Sequence, residues 1–205
     1  MSLSLDYPRV ERFNEGWGHT PGLKPLVIAI GGAAGVGKST VAAQLQQQIP
    51  ALTVICTSLI QTILRATQPD TPLLWSHTYD LDAIEDYVAR CRPIMACINQ
   101  VAAFATSERQ LYVFEGSSIV PGLLAAPEGV NTIELHLQVT DAEQHRRMLG
   151  GPTHDRALTD AQFSRCRRIQ HFIGEEAARL GKTFVEFDQG TTAAMQLIQD
   201  ALEDA

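Results

Sequence analysis

The chain has 205 residues, 45% of them hydrophobic and 19% charged, enough to bury the core of one domain. Its formal net charge of −7 excludes a general nucleic-acid binder, whose domain is ordinarily basic. The four cysteines form neither a C-x-x-C pair nor a Cys/His ligand spacing, which sets aside a zinc site and a disulfide framework. Residues 1–12 carry charges and Pro8 where a signal peptide needs an apolar core, and no run approaches a membrane span. A cytoplasmic protein with no membrane partner is expected.

Residues 1–25 contain Pro8, Gly16, Gly18, Pro21, Gly22 and Pro25 and read as an irregular leader, with one domain over 26–205. Residues 26–30 read as a short buried strand. Just beyond lies Gly32-Ala33-Ala34-Gly35-Val36-Gly37-Lys38-Ser39, which satisfies G-x-x-x-x-G-K-[ST] at every fixed position, between a strand and a helix as that motif requires. This is a phosphate-binding loop. Its glycines let a polyphosphate approach bare backbone, and successive N–H groups, with the positive end of the next helix, make a seat for anions. Lys38 is expected to reach the β- and γ-phosphates, the Ser39 hydroxyl to bind Mg²⁺, and Thr40 to touch the α-phosphate.

A helix over 39–48 is closed by Pro50, and 52–56 reads as a second strand followed by helix over 58–66. A loop with Pro69 and Pro72 leads to Trp75-Ser76-His77-Thr78-Tyr79. Helical pattern runs over 82–106, with a kink or break expected at Pro93. The third strand, 111–114, ends in Glu115-Gly116, and a short helix is expected over 118–125. In the fourth strand, 133–139, apolar residues alternate with Glu134, His136 and Gln138. Asp141 caps a helix that stops at Gly150; Thr159 or Asp160 caps a longer one to about Leu180, closed by Gly181. Residues 183–187 are the last strand and 191–202 the last helix. Strands separated by helices imply an α/β fold of three layers, a parallel sheet covered on both faces.

In such a sheet the ligand lies at the carboxyl ends of the strands, which ranks the remaining candidates. Glu115 is placed to organise Mg²⁺ or to act as general base, and Gly116, lacking a Cβ, is expected to leave room for a ligand. Thr57, Ser58, Arg65, His77 and Tyr79 are candidates for an acceptor pocket. Arg146, Arg147, Arg156, Arg165, Arg167 and Arg168 put six of the sixteen Lys and Arg residues within 146–168, the pattern of a small helical lid that closes over phosphates. Arg156 and Arg167 are the expected phosphate or transition-state contacts, and Arg146 the expected contact of the adenine.

The order Gly-Gly-x-x-Gly-x-Gly-Lys-Ser-Thr, Thr57-Ser58-x-Ile60 with Arg65, a Ser/His/Tyr loop, Phe114-Glu115-Gly116 with Val120-Pro121-Gly122, then Arg167-Arg168-Ile169-Gln170 resembles the kinase domain of the 2-phosphoglycerate kinase family. That family lies within the nucleoside-monophosphate-kinase-like phosphate-loop group, and the resemblance covers about residues 25–190. It implies a five-stranded sheet of order 2-3-1-4-5, ATP with Mg²⁺ as phosphoryl donor, and a small phosphorylated hydroxy acid as acceptor. Ser58 stands near a place where such kinases often have aspartate, and Gln61 near one where arginine is expected.

The expected activity is ATP-dependent transfer of the γ-phosphoryl group to a small anionic metabolite such as 2-phosphoglycerate. A GTPase-like switch would carry Asp-x-x-Gly and Asn-Lys-x-Asp, and neither occurs. A nucleotide-binding module that has lost catalysis is the other alternative, and a homodimer is left open beside a monomer.

Overall fold

The computed structural model describes residues 7–151 and 157–202. Its centre is β1 (Leu26–Gly32), whose seven residues are all buried. Around it lie β2 (Leu52–Cys56), β3 (Leu111–Glu115), β4 (Asn131–Gln138) and β5 (Thr183–Glu186), in the order β2-β3-β1-β4-β5 with every pairing parallel. This is the order that the family resemblance implied.

Alternating side chains of β1 feed opposite faces of the sheet. Leu26, Ile28 and Ile30 join one core with Val41 and Leu45 of α2 (Lys38–Gln48), Ile169 and Ile173 of α6 (Asp160–Arg179), and Ile198 of α7 (Gly190–Ala201). Val27 and Ala29 join the other with Ile60 and Leu64 of α3 (Thr57–Thr67) and Ile94 and Ile98 of α4 (Ile84–Glu108). The remaining helices are α1 (Pro8–Gly16) and α5 (Ala142–Leu149).

Two local expectations are corrected, and a third, the kink or break at Pro93, loses its second alternative. The segment read as irregular contains α1, with Val10 and Phe13 buried in the core; Pro8 there occupies the first helical turn, where its missing N–H costs nothing. No helix forms over 118–125: Leu123 N–H donates to the Val120 carbonyl at 3.2 Å across Pro121-Gly122, and Gly122 has φ +76°, a turn that places proline and glycine where each is favoured. Helix α4 runs unbroken through Pro93. The proline costs roughly 3 kcal/mol, but Tyr87, Cys91, Ile94, Met95 and Ile98 are buried along that helix, each contributing roughly 1.5–3 kcal/mol.

The chain leaves β1 toward β2 on one side and leaves β3 toward β4 on the other. The crevice beyond the carboxyl ends of the adjacent strands β1 and β3 is therefore the topological switch point, where α/β sheets hold ligands. Ile30 pairs with Glu115 across these strands, so the phosphate loop and Glu115 emerge side by side.

Candidate functional site

Gly35 and Gly37 take φ of +79° and +83°, conformations that side chains rarely adopt. At Gly35 a Cβ would also lie 2.6 Å from Leu149. Gly37 is the N-cap of α2 and supplies no side-chain cap, so the first amides of the helix face the cleft with its positive dipole end. Lys38 is buried, and its Nζ donates to the Ala33 carbonyl at 2.6 Å, while Gly32 and Val36 support the loop from within the buried layer. Ser39 and Thr40 are exposed in the cleft that Ala34, Gly35, Thr57 and Glu115 also line.

Glu115 is largely buried there. Among the described residues no hydrogen-bond donor or cation satisfies its carboxylate. An exposed hydroxyl and an unpaired carboxylate on one cleft suit a hard cation, whose other ligands come from phosphates and water; the donor set at Ser39 and Glu115 thus fits Mg²⁺. Gly116 lines the cleft as expected, and its missing side chain has a second consequence: a Cβ on it would lie 1.8 Å from Thr57 Oγ1, so glycine lets Thr57 pack against the end of β3.

A second cavity, of about 170 Å³, adjoins the first and shares Ala34, Thr57, Ser58 and Ser117 with it. The structure brings the expected Arg65, His77 and Tyr79 together on its wall. His77 and Tyr79 stack with ring centroids 5.0 Å apart. Arg65 donates from Nε to the Leu74 carbonyl at 2.6 Å and lies over the Trp75 ring.

Arg90 also reaches this cavity, and sequence reasoning missed it. Only 4% exposed, it donates to the Ser76 carbonyl (2.9 Å), Ser118 Oγ (3.0 Å) and Gln61 Oε1 (2.7 Å). Among the described residues no carboxylate pairs with it. The adjacent Cys91 is no counter-ion, because burial pushes its thiol up to about 11. Burial, with Arg65 nearby, in turn lowers the Arg90 pKa. A buried cation without an anion is costly unless something bound supplies one. The signal was present in the sequence: Arg90 shares the helical spacing of the apolar residues Tyr87, Cys91 and Ile94.

The arginine-rich segment is arranged differently from the expected phosphate-facing lid. Arg165 pairs with Asp82 at 2.6 Å and Arg168 donates to the Asp82 carbonyl, so both tie α6 to the start of α4. Arg146 pairs with Asp160 and lies 4.2 Å over the Phe163 ring, lining a separate surface cleft. Arg167 donates to the Val139 and Thr140 carbonyls at the end of β4, and does not line the phosphate cleft; the expected transition-state contact is not met in this arrangement. Arg156 lies outside the described residues.

Fold and phosphate loop together define the class: this is the architecture of the phosphate-loop kinases. TT1252 from Thermus thermophilus superposes with a TM-score of 0.53 at 18% identity, covering 88% of this chain and 100% of that one. Shikimate kinase from Acinetobacter baumannii gives 0.51 at 12% identity, covering 95% and 99%. No protein-family model matches the chain.

Among curated proteins the chain is similar to 2-phosphoglycerate kinases. That of Methanocaldococcus jannaschii is 26% identical over 205 residues, covering 90% of this chain and 65% of the relative, and that of Methanopyrus kandleri 26% over 175 residues, covering 75% and 54%. Mevalonate-3-phosphate 5-kinase of Thermoplasma acidophilum is 25% identical over 133 residues, covering 60% and 66%. The chain thus spans about half to two thirds of the length of these relatives. No described helix is long and apolar enough to cross a membrane.

Proposed function

We propose that this chain is an ATP-dependent kinase that transfers the γ-phosphoryl group to a small anionic hydroxy compound of the 2-phosphoglycerate type. The observation that carries this reading is the pair of cations Arg90 and Arg65, met by no carboxylate among the described residues, in a cavity that opens onto the phosphate loop. Its volume of about 170 Å³ lies below the roughly 300–1,000 Å³ of drug-sized pockets and favours a short-chain acceptor. Similarity to the 2-phosphoglycerate kinases points the same way.

The loop amides and Lys38 hold the donor's phosphates, and Arg146 remains the candidate contact for the base. Arg90 and Arg65 draw the acceptor's anionic group into the second cavity, so its hydroxyl faces the shared wall at Thr57 and Ser117. Glu115 either accepts the proton of that hydroxyl or helps hold Mg²⁺ with Ser39. When bound, Mg²⁺ would neutralise charge developing on the phosphates. Positioning and fixed positive charge supply most of the acceleration.

The test is ADP release and product mass with ATP and a panel of 2-phosphoglycerate, 3-phosphoglycerate, glycerate, mevalonate 3-phosphate, shikimate and nucleoside monophosphates. Turnover of a small anionic acceptor is expected. ATP binding without phosphorylation of any member would favour a nucleotide-binding module that has lost catalysis.

A further inference from the structure

Behind the phosphate loop lies a buried polar group that phosphate transfer alone does not explain. His145 of α5 is fully buried, and its Nε2 lies 2.7 Å from the Ala34 carbonyl. Cys166 of α6 contacts the same carbonyl at 3.5 Å, and the Phe163 ring packs edgewise on the imidazole with centroids 5.5 Å apart. On the other ring nitrogen, Arg167 Nη1 stands 3.5 Å from His145 Nδ1. These contacts settle the tautomer. A carbonyl can only accept, so Nε2 carries the proton; a guanidinium can only donate, so Nδ1 is bare.

Ala34 is also part of the phosphate cradle. Across a trans peptide the C=O and the following N–H point in opposite directions. Holding the Ala34 carbonyl toward α5 and α6 turns the Gly35 N–H toward the cleft, and keeps an electron-rich oxygen away from the phosphates. We infer that His145 is a positioning residue for this cradle: its Nε2–H holds the Ala34 carbonyl behind the loop, and Arg167 holds His145 in the tautomer able to do so. This adds a task for Arg167 to its bonds with the Val139 and Thr140 carbonyls. The inference rests on reading the cleft as a nucleotide-phosphate site.

Among the described residues, the charged groups that act on His145 are Arg167 from α6 and Lys38 at the start of α2. Burial lowers its pKa, the Ala34 bond opposes that shift, and both cations add to it. A second proton would sit on Nδ1 against the Arg167 guanidinium, so acid conditions loosen the brace.

The experiment measures calorimetric affinity for ATP and for inorganic tripolyphosphate, which lacks the base, in wild type, His145→Leu and His145→Gln, with folding verified by circular dichroism. His145→Leu is expected to weaken both ligands about tenfold, as loss of a positioned hydrogen bond implies. His145→Gln, whose amide still donates to Ala34, is expected to recover most of that loss. As pH falls from 8 toward about 5, wild-type affinity is expected to drop more steeply than that of His145→Gln. Wild-type affinity in a folded His145→Leu overturns the inference. Should that variant not fold, superimposable pH profiles of wild type and His145→Gln overturn it instead. A wild-type protein that binds neither ligand refutes the kinase reading itself, and with it the inference.

Discussion

Replacing Arg90 with methionine, which keeps length and removes charge, separates acceptor binding from everything else. A guanidinium has five N–H donors, and Arg90 spends three, one each on Ser76, Ser118 and Gln61. Five minus three leaves two for a ligand. Hydrogen bonds to charged groups contribute about 1.5–3 kcal/mol, so losing both, partly replaced by Arg65, is expected to cost about 2 kcal/mol. At 1.4 kcal/mol per tenfold the acceptor KM rises roughly 30-fold. The KM for ATP stays within about twofold. The apo protein responds differently, because relief of the buried lone charge offsets the three orphaned acceptors; a net change of about 1 kcal/mol corresponds to about 2–4 °C in Tm. Coupled ADP-release kinetics and thermal denaturation measure all three quantities. An acceptor KM within twofold of wild type, in a folded variant, refutes the assignment of Arg90 to the acceptor.

Lys38→Ala is expected to reduce phosphoryl transfer by at least about a hundredfold without loss of the fold, as single-turnover assays and circular dichroism would show; near-normal turnover contradicts the site. Gly116→Ala drives a Cβ into Thr57 Oγ1, 1.8 Å away, and is expected to cost about 1–3 kcal/mol by overpacking, read as a lower urea midpoint. Glu134 bonds to His136 Nε2 and the Gly122 N–H, both at 2.9 Å, and pairs with Lys182. Burial raises its pKa, but these partners together hold the carboxyl below its usual value. A depressed folded pKa adds stability above the unfolded value, near 4.3, which is lost as pH falls through the folded one. Urea unfolding is therefore expected to show Glu134→Gln less stable than wild type at pH 7, with the gap closing below about pH 4. A gap independent of pH rules out this linkage.

The loop and the sheet were legible because both are written in local patterns. Glycine spacing and a preceding apolar run identify the cradle, and alternation of strands with helices identifies the layers. Charge was read less well, since an arginine's sequence neighbours do not say what its long side chain meets. Arg165 and Arg168 end on Asp82, more than eighty residues away in sequence. Arg90, inside an apolar stripe, reaches the second cavity beside the expected Arg65. Glu134 and His136 alternate with apolar residues, a pattern that does not say what they meet; β4 lies between β1 and β5, and both are buried and paired with each other.

The wall common to the two cavities, Ala34, Thr57, Ser58 and Ser117, constrains how this scaffold can diversify. On the proposed reading, a substitution there alters donor and acceptor seats at once, so a change of acceptor made on that side endangers the phosphate cradle. The far wall carries no such double duty: Gln61, Arg65, His77, Tyr79 and Arg90 line the second cavity alone. New acceptor preferences are therefore expected to arise, in natural divergence or in a directed library, by exchange on that far wall over an unaltered loop.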